Sequence, residues 1–321
     1  MQFENCFNSS EFILTEGAIV ERLKNEYGIA MDNFINHAGK IYECPDVLAT
    51  IYQQYIEIAQ QYDIPIMLMT PTRKVNFETV KHSKFNDKDV IADSCIYLKK
   101  IRDGYPDFIS KIFIGGLLGC KGDAYQAEDA LGIEESYQFH RIQVAEFKKA
   151  KVDFLFAGIM PAISEAMGMA KAMAESGIPY IISFMIRKDG CLLDGTTIAD
   201  AIKLIDKAVN PQPICYMANC IHPINLKLAL EKEFNSEAQQ LKRFVGIQAN
   251  TSSLGPEELN NCGLLQQEDF DEMIDEMIYL IKRYNFKIAG GCCGTNAVFI
   301  EKLAEKLKET ILHNNKPALD N

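Results

Sequence analysis

Gly290-Gly291-Cys292-Cys293-Gly294-Thr295 places two adjacent thiols in a glycine-rich segment. Side chains alternate along a strand, so vicinal cysteines face one centre only where the chain leaves the strand. Glycines on both sides permit that turn. A helix expected from about Thr295 onward puts partial positive charge beside the thiols and favours thiolates. A third cysteine, Cys220, ends the run Met217-Ala218-Asn219-Cys220 about seventy residues earlier. Three thiolates and one open position describe a catalytic zinc site, because closed structural sites take four protein ligands. Two other uses of the vicinal pair stand beside a metal: buried small hydrophobes, or a redox couple closing into a ring disulfide. Cys220 at a matching strand end favours the metal. Cys6, Cys44, Cys95, Cys120, Cys191, Cys215 and Cys262 are scattered, and packing is their expected role.

Such a site needs elements that bring strand ends together. Eight short apolar runs recur along the chain: 12–14, 64–69, 112–114, 152–156, 179–186, 213–217, 244–247 and 286–289. Most are apolar throughout, as strands buried on both faces should be. Amphipathic stretches lie between them, including 161–175, 197–208, 269–283 and 296–312. Eight strand-then-helix units predict an α/β chain folded as a (β/α)8 TIM barrel, which takes about 250 residues plus insertions. A doubly wound open sheet is the rival. Residues 1–321 are expected to form one domain, with rim insertions at 32–45 and 251–269. In a barrel, chemistry gathers where strands end. Thr15-Glu16-Gly17, Thr70-Pro71-Thr72-Arg73, Gly115-Gly116, Asn219-Cys220, Asn250-Thr251 and the vicinal cysteines all fall at such junctions.

Composition sets outer limits. The 321 residues are 48% hydrophobic and 24% charged, and 33 Lys and Arg against 44 Asp and Glu leave a net charge of −11. That balance excludes collagen-like, coiled-coil and disordered classes. No basic block stands out, so neither nucleic acid nor an anionic membrane is an expected partner. The N-terminal residues lack a basic segment followed by an apolar one, and the longest nearly uncharged apolar stretch, 154–163, is far short of a span of ~20 residues. A cytoplasmic location with reduced cysteines is the expectation.

Asn219-Cys220 followed by Gly290-Gly291-Cys292-Cys293-Gly294-Thr295 resembles the signature of the homocysteine S-methyltransferase family. Gly115-Gly116-Leu117-Leu118-Gly119 with Gly122-Asp123-Ala124-Tyr125 resembles its third-strand loop, and Phe139-His140-Arg141-Ile142-Gln143 its Tyr/Phe-His-Arg-x-Gln segment. Ser183-Phe184, Asp189-Gly190 and Asp194-Gly195-Thr196 resemble its fifth strand and the loop that follows. The resemblance covers nearly the whole chain. It implies a Zn2+-dependent barrel enzyme in which Cys220, Cys292 and Cys293 hold the metal and a small thiol, homocysteine or a relative, accepts a methyl group. No folate or cobalamin module is expected on this chain, so the donor is a small molecule or is borne by a separate methyl-carrier protein. Substrate roles are expected for Glu16, Gly17, Thr70, Arg73, Asn219 and Asn250 at strand ends, and the resemblance implies one for His140. His222 is read as a helix start or a brace for the metal loop, since three cysteines and the substrate already fill a tetrahedron.

The acceptor pocket departs from the pattern. Glu16-Gly17-Ala18-Ile19 stands where the family has Asp-Gly-Gly/Ala-x-Gly-Thr. Ala157-Gly158-Ile159 replaces the Phe-Glu-Thr whose glutamate grips the amino group. Thr70-Pro71-Thr72 replaces Thr-Asn-Thr and brings Arg73, which is able to clamp a carboxylate or phosphate. Losing the partner of a buried ammonium costs several kcal/mol, which predicts an acceptor other than homocysteine unless Glu16, Glu21 or His140 reaches the same spot. A noncatalytic zinc or thiol sensor, or a partner subunit of a corrinoid methyltransferase system, is the alternative function.

Overall fold

The computed structural model describes residues 3–260 and 269–314. Eight parallel strands close in sequence order into a barrel. They are β1 (Ile13–Thr15), β2 (Ile66–Met69), β3 (Ile112–Leu118), β4 (Phe154–Met160), β5 (Tyr180–Phe184), β6 (Cys215–Ile221), β7 (Phe244–Ala249) and β8 (Ile288–Gly291). Closure comes from β1 pairing with β8, Ile13 with Ile288 and Leu14 with Ala289. The expected (β/α)8 barrel forms, and the open-sheet rival is excluded. All eight expected strands are present with shifted ends, and three run on well past their apolar runs, to Leu118, Met160 and Ile221. Gly115 and Gly116, expected at a junction, therefore sit inside β3. Aromatic packing explains their size: a Cβ on Gly115 would lie 2.4 Å from the Phe154 ring, and one on Gly116 2.7 Å from Phe147.

Alternation divides the core in two. On β2, Ile66 and Leu68 pack outward against helices, while Met67 and Met69 point inward with Phe113, Phe154, Ile181, Met217 and Ile288. The N-terminal helix Phe3–Ser9 closes one end of this inner cluster. Its Phe3 stacks on Phe154 at 4.4 Å and meets Phe113 edge-on at 5.4 Å. Burying such a ring stabilises the fold by about 1.5–3 kcal/mol and fills the end where strands begin. A cavity opens where the strands end.

Helices follow the strands as the apolar spacing predicts, including Ile133–Ala150, Ile163–Ser176, Ile198–Ala208, Phe270–Tyr284 and Ala297–Asn314. Side chains cap several of them. Thr197 accepts from Asp200 N and Asp269 from Asp271 N. His222 takes the helix-start role, accepting from Ile224 N with Pro223 next in chain. Met169 and Met173 are fully buried in helix packing, with Met167 against the same core. Cys262 and part of the 251–269 insertion lie outside the described residues. No described helix is long and apolar enough to cross a membrane.

Candidate metal centre and thiol cavity

Cys220 reaches the barrel mouth through an irregularity. The pairing of β6 with β7 slips between Asn219 and Ile221, and Cys220 adopts a left-handed backbone at φ 57°. Such a conformation costs a non-glycine residue about 1–3 kcal/mol, and a bulge of this kind re-aims one side chain at a strand end. Cys292 and Cys293 follow β8, two strands round the barrel. The Cys220 and Cys293 sulfurs are 3.3 Å apart and those of Cys292 and Cys293 4.0 Å. All three lie within 4.8 Å of one another, and they are the one such cluster of three potential ligands among the described residues.

Tetrahedral zinc with Zn–S bonds of ~2.3 Å spaces its sulfurs about 3.8 Å apart, so the three thiols fit that ion without rearranging the backbone. Their electrostatics agree. Hydrogen bonds from Cys292 and Cys293 hold the Cys220 thiol well below the ordinary range, while their bonds to Cys220 push the other two up. Three thiolates this close need a cation to be ionised together.

The vicinal cysteines are tied to the segments that follow β7 and β1. Cys292 N donates to Ala249 O at 2.7 Å, and Thr251 N donates to Cys293 O at 3.1 Å. Thr295 Oγ1 donates to Cys292 O at 2.7 Å and accepts from Ala18 N at 3.2 Å. Gly294 N donates to the Glu21 carboxylate at 2.9 Å. Gly294 itself has φ 80°, and a Cβ there would lie 1.8 Å from Thr251 Oγ1, so only glycine turns the chain here. The following helix begins at Ala297, later than expected, and Phe299 N donates to the Asn296 side chain. Besides the other two cysteines, Cys220 meets two side chains, Asn250 Nδ2 at 3.4 Å and the Tyr125 hydroxyl at 3.1 Å. Asn250 thus braces Cys220. Tyr125 had no role from sequence, although its segment carried part of the resemblance.

A cavity of about 350 Å³ opens over the sulfurs, lined on its walls by Glu16, Gly17, Tyr125, Phe156, Gly158, Asn219 and Gln248. Both Glu16 carboxylate oxygens accept from Met69 N, at 3.1 and 3.2 Å. Burial nevertheless pushes the Glu16 carboxyl up to about 8, against the lowering effect of its backbone hydrogen bonds. Asn219 is fixed by its neighbours, accepting from Ser183 and donating to Gln248, which in turn donates to Thr15 Oγ1 at 3.0 Å. Gly158 has no room for a glutamate: a Cβ would lie 2.6 Å from the Phe156 ring and 3.2 Å from Leu117. Arg73 lines the mouth.

Two expected substrate residues sit behind the wall. Thr70 is buried, with its hydroxyl 2.7 Å from that of Thr72 and accepting from Leu117 N at 3.0 Å, so it braces the loop that carries Arg73. His140 is fully buried away from the cavity lining, a correction to its expected place. Its Nε2 lies 3.0 Å from Glu165 Oε1 and its Nδ1 3.1 Å from Gln143 Oε1. Glu165 also accepts from Lys121 N at 2.7 Å and Leu131 N at 3.3 Å, joining a helix to the loop after β3. The pair is structural. Glu165→Ala leaves those donors unpaired and is expected to cost roughly 3–5 kcal/mol. Thermal melts should show a loss of about 4–7 °C. Metal content should stay unchanged, and a shift under 2 °C would refute the assignment.

The comparisons with known proteins agree with this geometry. The family described as homocysteine S-methyltransferase matches residues 13–307, from β1 into the last helix. Among solved structures, the chain is similar to the metallated form of the homocysteine methyltransferase MmuM from Escherichia coli. That match has 19% identity and a TM-score of 0.74, covering 94% of this chain and 98% of that one. The apo form of MmuM matches at 20% identity with a TM-score of 0.66, over 94% and 97%. A sequence search among curated proteins finds no match. At these identities the structural likeness speaks to the barrel alone, but the family match extends over nearly all of it: the chain belongs to the homocysteine S-methyltransferase family.

Proposed function

We propose that this thiol methyltransferase acts on homocysteine, with zinc held by Cys220, Cys292 and Cys293. Zinc bound there would supply a Lewis acid that lowers the pKa of an incoming thiol. The protein's own residues bind and orient. Glu16, buried in the same cavity as the three sulfurs, takes the acceptor's ammonium in place of the glutamate that Gly158 lacks; this juxtaposition carries the reading. Asn219, locked between Ser183 and Gln248, presents a fixed amide at the cavity floor. Tyr125 and Asn250 hold the Cys220 sulfur in place. Phe156 walls the cavity and limits water at the reacting sulfur. The acceptor's sulfur forms a new bond to the methyl carbon as the donor's bond to it breaks in line, and the electron pair leaves with the donor. A reducing compartment such as the cytoplasm suits three free thiols. Nothing in the cavity favours a sensor over this chemistry.

The test offers L-homocysteine to the zinc-loaded protein with S-methylmethionine, betaine or methylfolate, against a chelated control. Methionine should form by mass spectrometry with one of them and stop on chelation. No thioether with any donor would overturn the reading.

A further inference from the structure

The mouth of the cavity carries polar groups that the proposed chemistry does not use. The segment after β1 tightens at Asp32, whose Oδ1 accepts from Phe34 N at 2.8 Å and Ile35 N at 3.0 Å. Asp32 and Asn36 exchange backbone hydrogen bonds of 3.1 Å, and Asn36 is held at φ 54° and ψ −126°. That backbone is rarely occupied by a residue with a side chain and costs about 1–3 kcal/mol. Its result is to present Asn36 and His37 to the cavity.

His37 is only 8% exposed, yet its Nδ1 has no hydrogen-bond partner, and neither has the buried Oδ1 of Asn36. A buried polar atom left this way costs about 1–3 kcal/mol, so a ligand that satisfies it is favoured. Burial, with the nearby Arg73 adding to it, pushes His37 down to about 3, so the ring is a neutral donor at physiological pH. Arg73 arrives from the other side on a fixed backbone. Thr72 Oγ1 donates to Leu117 O at 2.7 Å, and a Cβ on Gly119 would lie 2.2 Å from Arg73 O. The half-buried Arg73 makes no side-chain hydrogen bond or ion pair among the described residues.

We propose that Arg73, His37 and Asn36 form a carboxylate-binding subsite at the mouth of the thiol cavity. The proposal rests on reading that cavity as a methyl-transfer site and names the chemistry its substrates carry. Arginine's fork matches a carboxylate in two parallel hydrogen bonds. The His37 N–H and the Asn36 amide, turned by half a rotation, add neutral donors. Glu21 and the exposed Lys24 share this rim and offset one another, so the net positive charge is that of Arg73, which one carboxylate balances. The carboxylate belongs either to the acceptor or to the donor.

Calorimetry on the zinc-loaded protein separates the two. The probes are 4-mercaptobutyrate and its neutral isostere 4-mercaptobutyramide. An acceptor subsite predicts at least 10-fold tighter binding of the acid. Arg73→Gln should erase that preference and leave the amide within twofold, with Arg73→Lys in between. A donor subsite predicts no acid preference. The KM for dimethylsulfonioacetate should instead rise at least 10-fold in Arg73→Gln, with that for trimethylsulfonium unchanged. If Arg73→Gln alters neither discrimination in a folded, zinc-bearing protein, the subsite is refuted. If the acid preference exists and vanishes in the variant while no donor gives a thioether, the subsite stands and the methyl-transfer reading falls.

Discussion

Cys293→Ser is expected to lower zinc affinity by more than 100-fold and to abolish thiol methylation, with Cys220→Ser and Cys292→Ser doing the same. Residues that merely hydrogen-bond a metal ligand are worth 10–100-fold in affinity, and a thiolate bonded to the ion must exceed that. The three sulfurs are also interdependent, all within 4.8 Å, so an alcohol at one position leaves two thiolates to balance the charge of the ion. Asn250→Ala, which removes the 3.4 Å contact to Cys220 and the 2.9 Å hydrogen bond from Ser252 N, should fall in the lesser range. Cys191→Ser, remote from the cluster, should be neutral. Competition with a chromophoric chelator measures each affinity. Cobalt loading gives a second readout, because the thiolate-to-metal absorption scales with the number of sulfurs bound. A Cys293→Ser protein that retains zinc with wild-type affinity and full cobalt absorption would remove Cys293 from the metal site.

Glu16→Gln should be the second large effect, and it acts in two opposite directions. The Glu16 carboxyl is pushed up to about 8 from its ordinary 4.5. The folded protein therefore keeps a proton that the unfolded chain loses, and this contribution is fully present below pH 4.5 and lost as pH rises through about 8. Above that pH, burying the charge costs as much as about 5 kcal/mol. Glutamine keeps an oxygen for Met69 N and never ionises. The free variant should thus match wild type in stability below pH 4.5 and exceed it above pH 8, as read by denaturant midpoints across pH. Acceptor binding should move the other way. Without the carboxylate, the homocysteine ammonium is buried unpaired at a cost of about 3–5 kcal/mol, which raises Kd by at least about 100-fold. Proton release on binding distinguishes this from a loss of packing. At pH 7 wild type should release close to two protons, one from the thiol and about 0.9 from Glu16, and the variant about one. Equal Kd values and equal proton counts would mean that the ammonium is held elsewhere.

The clustered cysteines were legible in the sequence because thiol chemistry is carried by residue type. Adjacent cysteines framed by glycines must turn, and Cys220 stands at the end of an apolar run. The barrel was legible for a similar reason: burial on both faces makes each strand apolar throughout, and the helices between them show their 3.6-residue period. Boundaries were less visible. The apolar runs ended before β3, β4 and β6 did, because glycine and asparagine inside those strands are stabilised by neighbours, Phe154 over Gly115 and Ser183 with Gln248 on Asn219.

His140 shows where local reading fails. It lies in a segment that resembles the family's, but its environment is set by Glu165, on the next helix, which no spacing rule connects to it. Glu16 and Gly158 make the complementary case. The sequence showed one carboxylate missing and another nearby, and only the closed barrel puts Glu16 in the cavity with the sulfurs while Phe156 and Leu117 fill the space beside Gly158. Arg73, His37 and Asn36 meet across two loops. Local residue chemistry and periodicity thus determined the cysteine cluster and the barrel by themselves. Which charges are desolvated, and which polar atoms are left unpaired at the mouth, depends on contacts between residues far apart in sequence, and only the tertiary structure decides those.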